Sequence, residues 1–554
     1  MFENMKKIYF AVLAAGLMTM SSCSDFLDVQ LEGAPTTTNY FETDQDAIDA
    51  VDACYARLSQ EGVFGREIYW EQAGANEIVW GRTRGYSTLA TFDYNGDESP
   101  LRSVWNNVYS QTISRSNWVV QSLLKRQSER SLTDVEKRSL GEAYFLRAWG
   151  HFIIAYRYGT DKLGAPFVRF EDYGDGYDFS VPTQQPTVMD NYRMICEDLD
   201  KAAEYLPRYE TYSADDLGRA HKVAALALKA KVCAYWACWD ASKWDDVISI
   251  VNDLQNNYGR ALTPNFNDNF TVDISKWYNS EYCWAIPSNG GADGVTNGGV
   301  EFVGVCLENK GWGLYNGWGQ FKPSYDIYEE FLKDGPGNAR LKKSILEYGD
   351  EFQFFGETRK YYSASDIESG FAIGKWLEPF APADPVGEGL LSSNGDWPTT
   401  RTNWPIIRFA ELKLFRAEAY IMKGQAEQAR QDIDDIRTRS GLAKIDHVPS
   451  MADIYHERLC ELAFELAVNH LYDLKRWYHS GDATIKALAS KELNSHPRAR
   501  HYADRMDPES TFTVGDYEDY KNQKKYEDGM ITFPFPSAEI TKGNGALKNN
   551  DYWK

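Results

Sequence analysis

Two stretches of the sequence combine aromatic side chains with polar side chains suited to hydrogen bonding. The first holds Trp80 beside Asn76, Glu77, Arg82 and Arg84. The second holds Trp312 and Tyr315 beside Asn309, Lys310 and Asn316. An indole or phenol ring stacks on the flat C–H face of a sugar ring, while amide and guanidinium groups bind its hydroxyls. The two stretches therefore predict one carbohydrate-binding platform, with Trp277 and Tyr278 as further contacts.

Each of these rings has a second interpretation, because tryptophan is highly buried on average. In that interpretation the ring packs its loop onto the scaffold. The chain carries 17 Trp, 35 Tyr and 27 Phe, and many of them lie in Gly- and Asn-rich segments that cannot form core helices. For Trp236, Trp239 and Trp477, which lie in or beside predicted helices, core packing is favoured.

The sequence shows no motif for hydrolysis or for a zinc-dependent reaction. It contains no Gly-x-Ser-x-Gly elbow and no phosphate-binding loop. His456-Glu457 begins a His-Glu-x-x-His pattern, but Cys460 stands where the second histidine belongs. We therefore predict no catalytic residue, no metal and no cofactor, although two glycosidase carboxylates far apart in sequence leave no visible pattern.

Other charged groups favour structural roles. Glu457, Arg458 and Glu461 lie at helical spacings that suit ion pairs between helices. Asp93, Asn95 and Asp97 alternate as in a calcium loop but lack its distal glutamate, which favours a solvated turn.

A binding platform needs rigid elements to hold it, and hydrophobic periodicity predicts helices over residues 43–58, 101–125, 135–158, 187–206, 222–240, 244–256, 406–423, 426–440 and 451–479. Residues 222–256 and 406–440 each read as a helix pair whose first helix is rich in alanine. A unit of about 34 residues is the period of tetratricopeptide pairs. The fold class predicted is mainly α, an imperfect tetratricopeptide-like helical repeat scaffold.

Residues 259–405 interrupt this pattern with Gly, Asn, Pro and aromatic residues, which predict loops and short strands. We expect this long irregular insertion to be the ligand-binding region. It separates an N-terminal helical part, residues 39–258, from a C-terminal helical part, residues 406–554. The loop at 65–100 is a second aromatic-rich region.

Residues 1–22 predict a secretory signal peptide, with two lysines, an apolar run of about 11 residues and then small residues. The run is too short to span a membrane. Met20-Ser21-Ser22-Cys23 is similar to a bacterial lipobox, which predicts lipidation of Cys23 and a tether over residues 23–38. Simple cleavage, with Cys23 free or disulfide-bonded, is the alternative. The other seven cysteines are scattered and form no disulfide framework, and we expect Cys233 and Cys238 to be buried thiols.

The chain is acidic, with 59 Lys and Arg against 81 Asp and Glu and a net charge of −22. This charge disfavours nucleic acid and other polyanions as partners and slightly favours a neutral glycan.

Three sets of motifs together resemble the SusD/RagB family of Bacteroidetes surface lipoproteins. The first is Cys23-Ser24-Asp25-Phe26-Leu27-Asp28, followed by Asn39-Tyr40-Phe41 and the helix 46–58. The second comprises residues 415–420 (FRAEAY), 457–465 (ERLCELAFE) and 472–477 (YDLKRW). The third is residues 533–540 (FPFPSAEI), closing with residues 547–550 (LKNN). The interval between Glu465 and Asp473 departs from the family pattern, which affects the local helix ending.

The resemblance implies a SusD-like helical protein with four tetratricopeptide-like pairs and an irregular ligand-binding half. It also implies a lipid anchor in the outer membrane, with the protein facing the cell exterior as a lid on a SusC-like TonB-dependent transporter. In such a system of polysaccharide utilisation and glycan import, the protein captures glycans without cleaving them. A surface glycoside hydrolase and a RagB-like carrier of peptide or glycopeptide are the alternatives.

Overall fold

The structure is a computed structural model, and it describes residues 41–65, 69–80, 87–173, 183–213, 216–271, 273–287, 303, 319–354, 357–361, 369–377, 402–467, 470–504 and 506–553. Contacts between Cα atoms divide the chain into two units, residues 1–46 and residues 47–554. The predicted signal peptide, Cys23 and the tether lie outside the described residues.

Helices make up most of the described ranges. They are α1 (Asp44–Tyr55), α2 (Tyr69–Gln72), α3 (Ser87–Ala90), α4 (Ser99–Val104), α5 (Ser114–Glu129), α6 (Asp134–Tyr158), α7 (Val188–Tyr205), α8 (Lys222–Trp236), α9 (Lys243–Asn257), α10 (Tyr325–Leu332), α11 (Ala339–Ser344), α12 (Phe409–Met422), α13 (Ala426–Arg439), α14 (Met451–Leu462), α15 (His470–Tyr478), α16 (Ala483–Leu493) and α17 (Ser537–Lys542). A π-helical stretch, Trp105–Ile113, joins α4 to α5.

The described strands form antiparallel pairs. The strands are β1 (Ile78–Trp80), β2 (Tyr282–Ile286), β3 (Phe321–Pro323), β4 (Ile345–Glu347), β5 (Glu351–Phe354), β6 (Glu357–Lys360), β7 (Phe371–Ile373), β8 (Trp404–Arg408), β9 (Arg498–Tyr502) and β10 (Phe512–Asp516). The pairs are β1·β3, β2·β8, β4·β7, β5·β6 and β9·β10.

Helix α6 is the most deeply buried long helix and begins at a capping box. The Thr133 side chain accepts from the Glu136 amide, and Glu136 accepts from the Thr133 amide in return. Neighbouring chain segments come close at two glycines: a Cβ at Gly141 would lie 2.9 Å from Leu206, and one at Gly150 would lie 2.7 Å from Ile113. Because these positions lack a Cβ, α6 packs closely against Leu206, at the end of α7, and against Ile113, at the end of the π-helical stretch.

The long helices form a continuous row, in which α5 contacts α6, α6 contacts α7, α7 contacts α8 and α8 contacts α9. Helix α9 then contacts α12. The insertion, residues 259–405, therefore connects two helices that are in direct contact with each other. The two predicted helix pairs are confirmed as α8 with α9 and α12 with α13, and the predicted mainly α class is confirmed. Their classification as tetratricopeptide repeats stays a prediction.

Some predicted boundaries are wrong. Residues 406–408 do not begin α12, because they belong to strand β8 and pair with β2. The predicted helix 451–479 ends at Leu462, and α15 begins at His470, within the interval where the sequence departs from the family pattern. The loop at 65–100 contains α2, β1, α3 and the start of α4.

The described cysteines other than Cys238 are buried, and all of them are free thiols. Cys233 is buried as predicted, and Cys238 is half-buried. Among the described residues, no helix combines the length and apolar character needed to cross a bilayer.

Candidate functional site

The strand pair β1·β3 connects the two predicted ligand-binding stretches. Trp80, the last residue of β1, lies opposite Phe321, the first residue of β3. Residues 81–86, which follow Trp80 directly, lie outside the described residues. Residues 304–318, which end directly before Gly319, also lie outside them. Trp80, which precedes the first segment, and Gly319, which follows the second, are therefore near each other at one end of a single strand pair.

The side chains predicted to stack on and bind a sugar lie largely in these two segments. Arg82, Trp312, Tyr315 and Asn316 are all outside the described residues, as are Arg84, Asn309 and Lys310. Their role in binding stays a prediction. The positions of Trp80 and Gly319 at one end of the β1·β3 pair favour it.

Trp80 does not belong to an exposed platform. Its side chain is 1% exposed, and its ring stacks on Tyr520 with the centroids 4.2 Å apart. Tyr517 packs edge-on against the same ring and donates its hydroxyl to the Trp80 carbonyl oxygen at 2.7 Å. The prediction that Trp80 contacts ligand is wrong, because Tyr517 and Tyr520 of the C-terminal segment, residues 517–553, cover the end of β1.

Asn76 and Glu77 were expected to bind sugar hydroxyls beside Trp80, but both are buried in protein contacts. Asn76 donates to the Ser495 hydroxyl at 2.7 Å, and Glu77 accepts from the Phe464 amide at 2.6 Å. Burial raises the pKa of Glu77 to about 7. Their polar groups fix the start of β1 against the C-terminal helical part.

Trp277 and Tyr278 are half-buried and precede β2, which pairs with β8 and not with β1 or β3. The Trp277 indole donates to the Thr271 carbonyl oxygen at 2.9 Å. The Tyr278 ring stacks on Tyr209 at a centroid distance of 5.7 Å and 10° between planes. Tyr278 has a φ of 53°, a conformation that costs free energy in a residue with a side chain. Both residues are partly accessible, and their predicted contact with ligand stays a prediction.

An open groove of about 440 Å³ borders this aromatic segment. Its walls include Arg260, Lys413, Arg439 and Phe409, and the Ala261 amide in its wall donates to the Ser280 carbonyl oxygen at 3.1 Å. Two of the cations in the wall have carboxylate partners, since Lys413 pairs with Asp432 at 2.7 Å and Arg439 bonds Glu281 and Glu461. Arg260 instead donates to the carbonyl oxygens of Tyr258 and Tyr282, each at 3.1 Å. Most of the positive charge in the groove wall is therefore already paired.

A second pocket, of about 220 Å³, lies at the other end of the β1·β3 pair. The Ser324 amide, directly after β3, donates to the Glu77 carbonyl oxygen at 3.1 Å and closes this end. The lining holds more carboxylates than cations: the acidic residues are Glu77, Asp326, Glu329, Glu330 and Glu492, and the basic residues are Lys333, Lys491 and Arg498. Arg498 neutralises part of this charge through an ion pair to Asp326 at 2.7 Å.

A buried ion-pair network holds the inserted region on the helices. The Arg408 guanidinium bonds Glu281, Glu461 and Glu465, and Arg439 bonds Glu281 and Glu461. Burial acts to raise the pKa of Glu281, but Arg439 and Arg408 lower it to about 2. This carboxylate is therefore ionised at neutral pH and joins the start of β2 to β8 and α13.

The prediction that Glu457, Arg458 and Glu461 join elements is confirmed. Glu457 bonds Arg340 and Arg437, each at 2.6 Å, and Arg458 bonds Asp473 at 2.7 Å. Trp477 is also buried as predicted, while Trp236 and Trp239 are half-buried.

Sequence reasoning missed one group of side chains that suits a metal ion. His456 and Cys460 are four residues apart on α14, and the fold brings Asp334 to them. The spacing of a histidine and a cysteine on one helical face was a visible signal, but Asp334 is 122 residues away in sequence.

Comparisons with known proteins cover nearly the whole chain. The model of the SusD family matches residues 280–553, and a second model, described as starch-binding associating with outer membrane, matches residues 25–233. SusD-like protein P2 of Formosa agariphila is 23% identical and aligns over 98% of this chain and 99% of its own.

Solved structures share the fold. A SusD-like protein from Bacteroides fragilis superposes with a TM-score of 0.72 at 20% identity, covering 94% of this chain and 99% of that one. A laminarin-binding SusD-like protein superposes with a TM-score of 0.66 at 20% identity, covering 92% and 99%. The matched models, the helical fold and these relatives agree with the motifs found in the sequence, and the chain belongs to the SusD/RagB family.

Proposed function

We propose that this protein captures polysaccharide or oligosaccharide at the cell surface and delivers it, uncleaved, to a SusC-like TonB-dependent transporter in the outer membrane. Family membership and a laminarin-binding structural relative support carbohydrate as the ligand. The description of the second family model supports association with the outer membrane. Lipidation of Cys23 provides the anchor in this proposal, as the sequence around it predicts.

One observation carries the location of the site: Trp80 lies opposite Phe321 in the β1·β3 pair. Residues 81–86 supply Arg82, and residues 304–318 supply Trp312, Tyr315 and Asn316. Since both segments are attached to one strand pair, their rings and polar groups can act on one sugar chain. In this proposal the buried Trp80 holds β1 in place and does not contact the sugar.

The ligand class that we favour is a neutral glycan. The chain carries a net charge of −22, which repels acidic polymers at long range. The groove with Arg260 and Arg439 is the described surface most able to oppose this effect, but Arg439 is bonded to two carboxylates. Stacking of uncharged rings therefore provides the main attraction.

Affinity electrophoresis tests this function. The purified protein runs through native gels that contain laminarin, starch or the acidic polymer alginate. We expect retardation in a neutral glycan, no retardation in alginate and no release of reducing ends. Trp312→Ala should weaken the apparent affinity by about tenfold, as expected for loss of one stacking ring.

Tyr552→Ala is the matched control, because Tyr552 is an aromatic residue that is 38% exposed and lies in the C-terminal segment. It should be retarded like the wild type. Release of reducing ends would favour a glycoside hydrolase. Binding to peptide pools with no retardation in any glycan would favour a RagB-like carrier, and both outcomes contradict the proposal.

A further inference from the structure

A histidine, a cysteine and an aspartate lie together where α10 contacts α14. His456 and Cys460 are one helical turn apart on α14, and Asp334 follows the end of α10 by two residues. One ligand atom from each lies within 4.8 Å of the other two. We propose that these three side chains form a binding site for a transition-metal dication, best suited to Zn²⁺.

The ligand types and spacing fit zinc. Imidazole nitrogen, thiolate sulfur and carboxylate oxygen bind Zn²⁺ at about 2.0–2.3 Å, which places neighbouring ligand atoms of a tetrahedral site about 3.3–3.8 Å apart. His456 Nδ1 lies 3.9 Å from Cys460 Sγ, and the other ring nitrogen, Nε2, lies 3.0 Å from Asp334 Oδ2. Because an imidazole binds a metal ion through one nitrogen, the ring or the Asp334 carboxylate turns when a cation is placed among the three residues.

Metal binding at these residues is coupled to proton release. A zinc site takes a neutral imidazole nitrogen, a thiolate and a carboxylate, so a dication displaces any proton held by the bound ring nitrogen and by Cys460 Sγ. His456 Nδ1 lies 2.7 Å from Glu330 and Nε2 lies 3.0 Å from Asp334, so the ring nitrogen that does not bind the metal keeps a carboxylate beside it.

Two arginines bind Asp334, and both keep a partner when the aspartate turns to a metal ion. Arg340 donates to Asp334 and Glu457, each at 2.6 Å. Arg437 lies 3.2 Å from Asp334 and 2.6 Å from Glu457. Because Glu457 holds both guanidinium groups, ligation by Asp334 leaves neither arginine buried without a carboxylate.

The site adjoins the pocket of about 220 Å³, because Glu330 lines this pocket and also contacts His456 Nδ1 at 2.7 Å. The Glu330 carboxylate can supply the fourth ligand or orient a bound water. A metal ion here would join α10 of the insertion to α14 of the helical scaffold and stabilise the folded state by mass action.

Titration of the intact protein with Co²⁺ tests the site, because cobalt bound to thiolate gives a charge-transfer band in the near ultraviolet. We expect the band to saturate at one equivalent and to disappear when Zn²⁺ is added. Cys460→Ser should lose it, while Cys283→Ser, which removes another buried thiol, should keep it. Absence of the band in the wild type, or its persistence in Cys460→Ser, would overturn the proposal.

A second measurement covers the case in which Cys460→Ser does not fold. Zinc-edge X-ray absorption of the wild type with one equivalent of Zn²⁺ should show one sulfur neighbour and otherwise nitrogen and oxygen ligands. A shell with no sulfur, or with several sulfurs, would contradict the assigned ligand set.

Discussion

At the residue scale, single aromatic and acidic side chains next to the proposed platform act on stability, and Trp80 is the clearest case. It was a candidate ligand-binding residue because of its polar neighbours in sequence. In the fold its ring is enclosed by Tyr517 and Tyr520. These tyrosines lie about 440 residues further along the chain, so no local pattern could reveal that they cover it.

We expect Trp80→Ala to lower the free energy of unfolding by about 3–5 kcal/mol, the usual cost of truncating a fully buried tryptophan. Chemical denaturation measures this change. Trp80→Phe, which keeps most of the packing, should lose less than half as much. If Trp80→Ala were as stable as the wild type and failed to bind glycan, the ring would be a ligand contact after all.

The raised pKa of Glu77 predicts that its contribution to the free energy of unfolding depends on pH. In the unfolded chain this carboxyl has its ordinary pKa of 4.5, and burial raises the folded pKa to about 7, opposed by His470 and Lys375. Between these values the unfolded state loses its proton first, so stability falls as the pH rises from 4.5 to about 7 and is constant above. The difference corresponds to about 3 kcal/mol.

Glu77→Gln keeps an oxygen that can accept from the Phe464 amide but cannot ionise. Denaturation midpoints at pH 5 and pH 8 should therefore differ less in this variant than in the wild type. An equal difference in the two proteins would mean that Glu77 does not carry this pH dependence.

At the element scale, the helices of the scaffold were predictable from the sequence, but the strand pairings that position the insertion were not. Periodicity places α6, α8 and α12 within a few residues because the pattern of apolar side chains is local. The pairings β1·β3 and β2·β8 join residues that are 241–245 and 118–126 positions apart, and each strand is too short to give a distinct pattern. The pairing of Trp80 with Phe321, which borders both predicted ligand-binding segments, therefore became visible only from the fold.

The ion pairs of Arg408 hold β8 and β2 on α14, and they predict a large effect of one substitution. Arg408→Met leaves Glu281, Glu461 and Glu465 with fewer positive partners in a buried site. We expect a loss of about 3–5 kcal/mol in the free energy of unfolding.

Arg193→Met is the matched control, because Arg193 and its partner Glu197 are about half exposed. Its loss should be no more than about 1 kcal/mol by the same denaturation measurement. Equal losses in the two variants would show that burial of the Arg408 network is not what stabilises this region.

At the scale of the whole molecule, the C-terminal segment connects distant parts of the chain. The Phe533 amide donates to the Arg157 carbonyl oxygen at 2.9 Å, and the Phe535 ring stacks on Tyr158 at 4.5 Å. Asp97 accepts from the Ser537 amide and hydroxyl at 2.9 and 2.6 Å. The residues that resembled a calcium loop thus hold this segment, and the family motif at residues 533–540 is structural.

The same segment covers β1, and so it supports the strand pair from which the proposed platform extends. The acidic pocket and the His456 cluster lie at the opposite end of this pair, toward α14. The proposed glycan binding and the proposed metal binding therefore depend on different parts of the chain, and loss of one should leave the other intact.

Radical footprinting of the intact protein, read by mass spectrometry, tests the central claim most directly. Side chains are oxidised with and without the neutral glycan that retards the protein most. We predict protection of peptides containing residues 81–86 and 304–318, with Trp312 and Tyr315 protected most. Protection confined to the groove around Arg260 and Lys413, with unchanged oxidation of Trp312, would contradict the proposed site.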